Sequence, residues 1–314
     1  DSNNTLIDNN TIFTNGTSVN NFGVYIITRI VDTNITNNRI FPYGTGNSFG
    51  VYLNDNVTLT RIMNNTISTG GSGTDNYGIR AYGGTNPITN LKIIGNDITT
   101  NSTGGGANNG IRYETFVFNA EIINNTIRTG IDRNGAFNYG VNLDNNVNNL
   151  NITGNQIFTN GTNDNYGIYF VTYVNETLVQ LNTIVTDGTT TGSNDGLRLL
   201  SITYRNKIVN NNITTNGVAG STNRGVNLVS SVFNTEIVNN TIRTAITGAL
   251  DNNHGIRLSS TVSDTNITGN QVFTNGTSDN YGIYLADLTN NTLVKNNTVF
   301  TDGSLVSNHG VFVD

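Results

Sequence analysis

Hydrophobic and polar residues alternate in short runs along the whole chain. In the run GIRL at residues 255–258, Ile256 and Leu258 point to one side and Arg257 points to the other. The run NNTIRT at residues 239–244 alternates in the same way, and a third kind of run, of the type TNITGN, ends at an Asn. Turn-forming Gly, Asn, Asp and Ser residues separate the runs, and no window carries a helical stripe. The pattern therefore predicts an all-β chain of short strands.

A repeat of about 29 residues organises these runs. A Gly column and an Asn column each have eleven members, spaced 27 to 32 residues apart, and they alternate along the chain. The glycines are Gly23, Gly50, Gly78, Gly110, Gly140, Gly167, Gly196, Gly225, Gly255, Gly282 and Gly310. The asparagines are Asn10, Asn38, Asn65, Asn96, Asn125, Asn155, Asn182, Asn211, Asn240, Asn270 and Asn297.

Four of these repeats form a larger unit. The stretch NQIFTNGTNDNYGIYF at residues 155–170 returns 115 residues later as NQVFTNGTSDNYGIYL, with 13 of 16 positions identical. This offset indicates that a four-repeat block is duplicated, roughly over residues 92–206 and 207–314, after three less regular repeats. We expect residues 1–314 to form a single domain.

Three strands per repeat predict a three-sided parallel β-helix solenoid of about eleven coils. Parallel strands lie roughly 4.8 Å apart, so an Asn at the same turn of every coil can donate its side-chain amide to the Asn of the next coil. The Ile, Val and Leu positions then stack into a dry core. A second column is expected to form a ladder of hydroxyl groups; its members are Thr129, Thr159, Thr186, Thr215, Thr244, Thr274 and Thr301.

These motifs resemble those of the right-handed parallel β-helix superfamily, which includes pectate lyases, polygalacturonases, phage tailspikes and surface adhesins. The N-x-I runs and the G-I-x-L strand carry the resemblance, and it covers nearly the whole chain. The resemblance implies a right-handed coil, which crossover sterics also favour. It leaves the function open.

Composition excludes several classes of protein. The net charge of −6 argues against a nucleic-acid binder, which needs a basic patch. The absence of Cys excludes disulfides and zinc–thiolate sites, and no apolar run is long enough to span a membrane. No motif predicts a metal or a cofactor. The opening DSNNTLIDNN lacks a basic start, so we expect a mature or excised segment.

Candidate chemistry is sparse. The motifs that the resemblance implies for polygalacturonases are absent, and His254 and His309 stand where other repeats have Tyr. One acidic pair falls in register: Glu114 and Asp144 each lie four residues past their Gly.

Two basic residues, Arg80 and Arg112, are expected to stack beside that acidic pair. The four residues could form an acid–base or anion-binding site, or they could offset one another on a solvated face.

Two opposite-charge pairs also fall in register. Lys92 matches Glu121 in the next repeat, and the duplicated block repeats the pairing with Lys207 and Glu236. We expect these to be structural ion pairs between neighbouring coils.

A column of outward side chains lies two residues past each Gly. Aromatic rings and guanidinium groups at regular spacing can stack on sugar rings or pair with a second rod, although the same residue types also favour strands on an inert surface. The predicted glycan or lateral contact face consists of Tyr25, Tyr52, Arg80, Arg112, Tyr169, Arg198, Arg257 and Tyr284.

The leading hypothesis is an extracellular or cell-surface structural protein, part of a fibre, filament or stalk. Open coil ends would expose unpaired edges, so we expect either further chain or contact with other copies there. The regular face would contact other copies or surface glycans, without catalysis. The alternative is a carbohydrate-active β-helix, either a lyase or hydrolase at Glu114, Asp144, Arg80 and Arg112 or a tailspike-like glycan binder, acting on an anionic polysaccharide.

Overall fold

The computed structural model describes residues 2–17, 20–104, 106–131, 135–188, 192–217, 222–245, 252–303 and 307–314. All regular secondary structure in these ranges is β-strand, arranged in three parallel sheets. We call them the split sheet, the threonine sheet and the glycine sheet, in the order in which each coil passes through them. None of these ranges forms a helix that is long and apolar enough to cross a membrane.

The strands fall into three sets. The threonine sheet consists of Thr11–Gly16, Arg39–Gly44, Thr66–Gly71, Asp97–Ser102, Thr126–Thr129, Gln156–Gly161, Thr183–Gly188, Asn212–Asn216, Thr241–Thr244, Gln271–Gly276 and Thr298–Gly303. The glycine sheet consists of Asn20–Ile27, Asn47–Asn54, Asp75–Tyr82, Ala107–Glu114, Phe137–Asp144, Asp164–Phe170, Ser193–Leu200, Thr222–Val229, His254–Ser259, Asn280–Leu285 and Asn308–Val313. The split sheet begins with Ser2–Asp8 and Ile30–Thr36 and continues as pairs of shorter strands: Val57–Thr58 and Arg61–Met63, Ile88–Thr89 and Lys92–Ile94, Val117–Phe118 and Glu121–Ile123, Val147–Asn148 and Asn151–Thr153, Val174–Asn175 and Leu178–Gln180, Thr203–Tyr204 and Lys207–Val209, Val232–Phe233 and Glu236–Val238, Val262–Ser263 and Asn266–Thr268, and Thr289–Asn290 and Leu293–Lys295.

Each strand pairs in parallel with the equivalent strand of the next coil. In the threonine sheet, Ile98 is opposite Ile127, which is opposite Ile157, and all three side chains are fully buried. Such columns of apolar residues, mostly Ile, Val and Leu, line the interior along all three sheets. The predicted all-β, three-sided parallel solenoid with a stacked aliphatic core is confirmed.

The Asn ladder is also confirmed, and all eleven predicted asparagines take part in it. Each Nδ2 donates to Oδ1 of the next Asn at 2.9–3.0 Å. The same Oδ1 accepts the backbone N–H of the preceding ladder Asn; for example, Asn96 N lies 2.9 Å from Asn125 Oδ1. Because Asn96 Nδ2 also donates to the Ile62 carbonyl of the preceding coil, one side chain ties together three coils.

The residue before the ladder explains the frequent Asn–Asn pairs. Asn64, Gly95 and Asn124 precede three ladder asparagines and have φ of 55°, 66° and 53°. Asn and Gly tolerate this left-handed region best among the amino acids. The first residue of each pair therefore makes the turn, and the second makes the ladder.

The Gly column is required by close packing. A Cβ added to Gly78 would lie 2.2 Å from Cγ2 of Ile98 and 2.6 Å from the Gly110 carbonyl oxygen. The other members of the column up to Gly282 are equally crowded by an Ile or Val side chain and by the next glycine. Glycine is therefore the residue that lets the glycine sheet lie against the threonine sheet.

The predicted hydroxyl ladder is wrong. Six of its members have a buried Oγ1 without a hydrogen-bond partner; they are Thr129, Thr159, Thr186, Thr215, Thr244 and Thr274. Stacked hydroxyls sit roughly one strand spacing of 4.8 Å apart, whereas a hydroxyl hydrogen bond needs about 2.8 Å. The longer Asn side chain spans that gap, and the short Thr side chain does not.

A second Asn ladder, which the sequence analysis missed, lies on the glycine sheet two residues before each Gly. From Asn108 to Asn308, each buried Nδ2 donates to Oδ1 of the next coil at 2.8–3.2 Å. The signal was present in the sequence as a recurring Asn-x-Gly, for example at Asn138 and Asn165.

Both predicted inter-coil ion pairs form on the outer face of the split sheet. Lys92 Nζ lies 3.0 Å from Glu121, and Lys207 Nζ lies 3.1 Å from Glu236. All four side chains are at least one-third exposed, so each pair contributes no more than about 1 kcal/mol.

Candidate functional site on the glycine sheet

Two columns of side chains cover the outer face of the glycine sheet. The post-glycine column, two residues past each Gly, contains all eight predicted contact residues, stacked coil on coil. The pre-glycine column directly precedes each Gly and consists of Phe22, Phe49, Tyr77, Asn109, Tyr139, Tyr166, Asp195, Arg224, His254, Tyr281 and His309. Ring contacts of 4.7 Å for Phe22–Tyr25 and 5.0 Å for Tyr166–Tyr169 join the two columns into one surface.

The first coils form an aromatic stack. Tyr25 stacks on Tyr52 at 5.2 Å, and Phe22 stacks on Phe49 at 5.4 Å. The Arg80 guanidinium follows Tyr52 in the column and lies 4.8 Å from its ring centroid. Tyr25 is 43% exposed and Tyr52 is 9% exposed, so the outermost coil presents most of the ring surface here.

The four residues predicted around Glu114 do lie together. Arg80 contacts Oε2 of Glu114 at 2.6 Å, and Arg112 contacts Oε1 at 2.5 Å. Arg112 also donates to the Tyr77 hydroxyl at 2.9 Å. Asp144 is opposite Glu114 in the strand register. Burial raises the pKa of Asp144, although the nearby Arg112 acts to lower it.

This geometry limits what Glu114 can do. Each of its carboxylate oxygens is held by a guanidinium group, and the side chain is 13% exposed. A general acid or base must reach a substrate proton directly. In this arrangement Glu114 instead neutralises two stacked arginines that would otherwise repel each other.

A second charged cluster lies further along the same face. Asp195 is completely buried, and Asn227 Nδ2 donates to its Oδ2 at 2.8 Å. Arg198 and Arg224 each approach the Asp195 carboxylate at 3.4 Å, and Arg198 also donates to the Tyr166 hydroxyl at 2.8 Å. Sequence reasoning found Arg198 but missed Asp195 and Arg224, although both interrupt a mostly aromatic column at the middle position of Asn-x-Gly.

His254 follows Arg224 in the same column. Its ring stacks on Tyr281 at 5.2 Å and meets the edge of Tyr284 at 5.2 Å, as expected for an occupant of an aromatic position. Burial, together with Arg224 and Arg257, lowers the His254 pKa to about 3. The imidazole is therefore neutral, and neither ring nitrogen has a hydrogen-bond partner among the described residues.

The face as a whole suits an extended ligand. Eleven strands at the usual spacing give a surface about 50 Å long. Rings and guanidinium groups recur along it, and aromatic side chains can contact the apolar faces of sugars. The described ranges contain no group of three or more His, Asp or Glu side chains that could hold a metal ion.

No protein-family model and no curated protein sequence matches the chain. Several solved structures share its fold, including the following two. The Dettilon tailspike protein (gp208) superposes with a TM-score of 0.63 over 95% of this chain and 60% of its own, at 15% identity. The A-module of the mannuronan C-5 epimerase AlgE4 from Azotobacter vinelandii superposes with a TM-score of 0.51 over 98% of this chain and 90% of its own, at 12% identity.

The chain is a right-handed parallel β-helix. Identities this low establish the fold alone. The β-helix spans three-fifths of the length of the tailspike chain, so the activity of that whole protein is not carried over. What the β-helix does must be argued from its own face.

Proposed function

We propose that the β-helix is a carbohydrate-binding protein that holds a polysaccharide along the outer face of the glycine sheet. The observation that carries this proposal is the row of partly exposed rings and guanidinium groups in the post-glycine column, which packs against the more buried pre-glycine column. Tyr169 and Arg198 form its central part, supported from below by the buried Tyr166, and Tyr281 and Tyr284 continue it.

The proposal is binding rather than bond cleavage at Glu114. Both oxygens of that carboxylate are occupied by Arg80 and Arg112, which leaves neither of them free for proton transfer. Rigid aromatic side chains, by contrast, give contact area at low entropic cost, as polysaccharide binding requires.

The two proteins of similar fold support a carbohydrate ligand. One is a tailspike protein, and the other is named as an epimerase of mannuronan, a polysaccharide. An extracellular or surface location follows from such a ligand and is part of the proposal. The predicted fibre with lateral self-association stays a prediction.

Binding of purified β-helix to alginate, pectin and neutral dextran, measured by affinity electrophoresis and calorimetry, tests the proposal. Replacing Tyr169 and Tyr284 together with Ala is expected to weaken binding at least tenfold, because both rings leave the surface. The matched control is Phe273→Ala, which removes a half-buried ring from the outer face of the threonine sheet.

The control variant should bind like the unmodified protein. Equal loss in both variants, or no binding of the unmodified protein to a broad panel of polysaccharides, would overturn the proposal.

A further inference from the structure

The two copies of the four-coil block differ in charge on the glycine sheet. Residues 115 positions apart occupy equivalent places, since Gly110 matches Gly225 and Gly140 matches Gly255. On this face the second copy exchanges three neutral residues for basic or titratable ones; the pairs are Asn109 and Arg224, Tyr139 and His254, and Asn142 and Arg257.

The second copy also lacks the acids of the first. Glu114 and Asp144 are matched by Val229 and Ser259, and Arg112 is matched by Asn227. These six positions carry one Arg and two acids in the first copy, a net charge of −1, against two Arg and no acid in the second, a net charge of +2 with His254 neutral.

The structure brings the new residues together. Arg224 is opposite His254, and Asn227 is opposite Arg257, in the strand register. The carboxylate of Asp195 lies beside these residues, and both Arg198 and Arg224 contact it. Two guanidinium groups therefore share one carboxylate, and Arg257 lies in the next coil.

Arg257 has no carboxylate partner among the described residues. Its guanidinium lies 5.9 Å from the Tyr284 ring centroid, and the side chain is half-buried. Burial chiefly, and then the neighbouring Arg224, lower the pKa of Arg257. A half-buried guanidinium of this kind is a good partner for a carboxylate or a sulfate.

His254 adds an independent indication of a ligand. Its side chain is 5% exposed, and both ring nitrogens lack a hydrogen-bond partner within the part of the chain that the structure describes. A neutral imidazole always carries one N–H donor, and buried donors in native proteins are nearly always satisfied. An oxyanion held by Arg224 and Arg257 would supply the missing acceptor.

We infer that Arg224, His254 and Arg257 form a subsite for the acidic group of a sugar, a carboxylate or a sulfate. This inference rests on the proposed polysaccharide-binding function. It places the binding site for the acidic sugar unit in the second copy of the block. The first copy, with Glu114 paired to two arginines, provides only a neutralised surface at the equivalent place.

The test uses a variant that the chain itself suggests. The double substitution His254→Tyr and Arg257→Asn installs the residues of the first copy at equivalent positions and leaves the contacts of Asp195 untouched. Arg243→Asn is the control, because it removes the same charge from the outer face of the threonine sheet. Alginate distinguishes a carboxylate ligand, dextran sulfate distinguishes a sulfate ligand, and neutral dextran gives the charge-independent binding.

The double variant is expected to bind one acidic polymer about tenfold more weakly while its affinity for neutral dextran is unchanged. Unchanged affinity for both acidic polymers overturns the subsite. The proposed function stays intact in that case if the variant with Tyr169 and Tyr284 replaced by Ala still binds at least tenfold more weakly.

A second measurement keeps the subsite testable if no polymer binds. Imidazole NMR is simple here, since the chain contains only His254 and His309. Galacturonate or glucose 6-sulfate, but not galactose, should shift the His254 signal and spare that of His309. Equal shifts of both signals, or none, would overturn the subsite.

Discussion

Asn96 Nδ2 donates to Oδ1 of Asn125 at 2.9 Å, and the backbone N–H of Asn96 donates to the same atom at 2.9 Å. One side-chain oxygen thus satisfies two buried donors of the preceding coil. We predict that Asn125→Ala destabilises the protein by about 2–4 kcal/mol, because it leaves these donors unsatisfied. Urea unfolding measures the loss. The control is Asn119→Gly at an exposed left-handed position, which should cost less than about 1 kcal/mol.

A second prediction concerns the close packing around the Gly column. Gly110→Ala would place a Cβ 2.2 Å from Cγ2 of Ile127 and 2.7 Å from the Gly140 carbonyl oxygen. We expect a loss of about 1–3 kcal/mol or failure to fold. Gly310 offers the matched control, since the nearest atom to its added Cβ is 3.9 Å away. Thermal unfolding of both variants checks this, and equal melting temperatures would contradict the packing argument.

Glu114 is predicted to stabilise the fold. Glu114→Gln removes the charge that compensates Arg80 and Arg112, so the free energy of unfolding should fall by about 1–3 kcal/mol. Glu121→Gln breaks an exposed pair with Lys92 and should cost less than about 1 kcal/mol. The two losses are compared by urea unfolding at low salt. A loss for Glu114→Gln as small as that of the control would mean that the pairing contributes little.

His254 predicts a pH dependence of stability. Its pKa is lowered from an ordinary value near 6.5 to about 3, chiefly by burial and then by Arg224 and Arg257. Between these two pKa values the imidazole is protonated in the unfolded chain but not in the folded protein. The free energy of unfolding is therefore unaffected by His254 above about pH 6.5 and decreases as the pH falls towards 3. In His254→Tyr this component of the slope should disappear, whereas His309→Tyr should keep it. Urea midpoints between pH 3 and 7 measure the slopes.

The fold could be predicted because every coil repeats the same local rules. The recurrence of Gly at positions such as Gly110 indicates where two sheets approach closely, and the recurrence of Asn at positions such as Asn125 indicates the ladder. The alternation of hydrophobic and polar residues indicates which side chains form the core. The threonine hydroxyls were misjudged because periodicity shows which residues stack but not whether their polar atoms reach one another. The ladder of Asn138 was missed because two registers of Asn are hard to separate in an Asn-rich chain.

The candidate site could be predicted only in part. The post-glycine column follows from counting residues past each Gly. The contacts of Asp195 with Arg224 do not follow from that count, since they join the pre-glycine positions of neighbouring coils. Likewise, the engagement of both oxygens of Glu114 depends on side-chain conformations that the spacing leaves open.

The ladder bonds all run in one direction. Each coil presents an amide donor to the coil that follows it and a carbonyl acceptor to the coil that precedes it, as Asn125 does between Asn96 and Asn155. The solenoid is therefore chemically polar along its axis, and every junction between ladder coils carries the same Asn–Asn bond. A whole coil, or a block of four, can be inserted or removed at such a junction without interrupting the ladder. The number of coils can therefore change independently of the residues on the outer face. Substitutions at Arg224, His254 and Arg257 leave the Asn ladder unaltered.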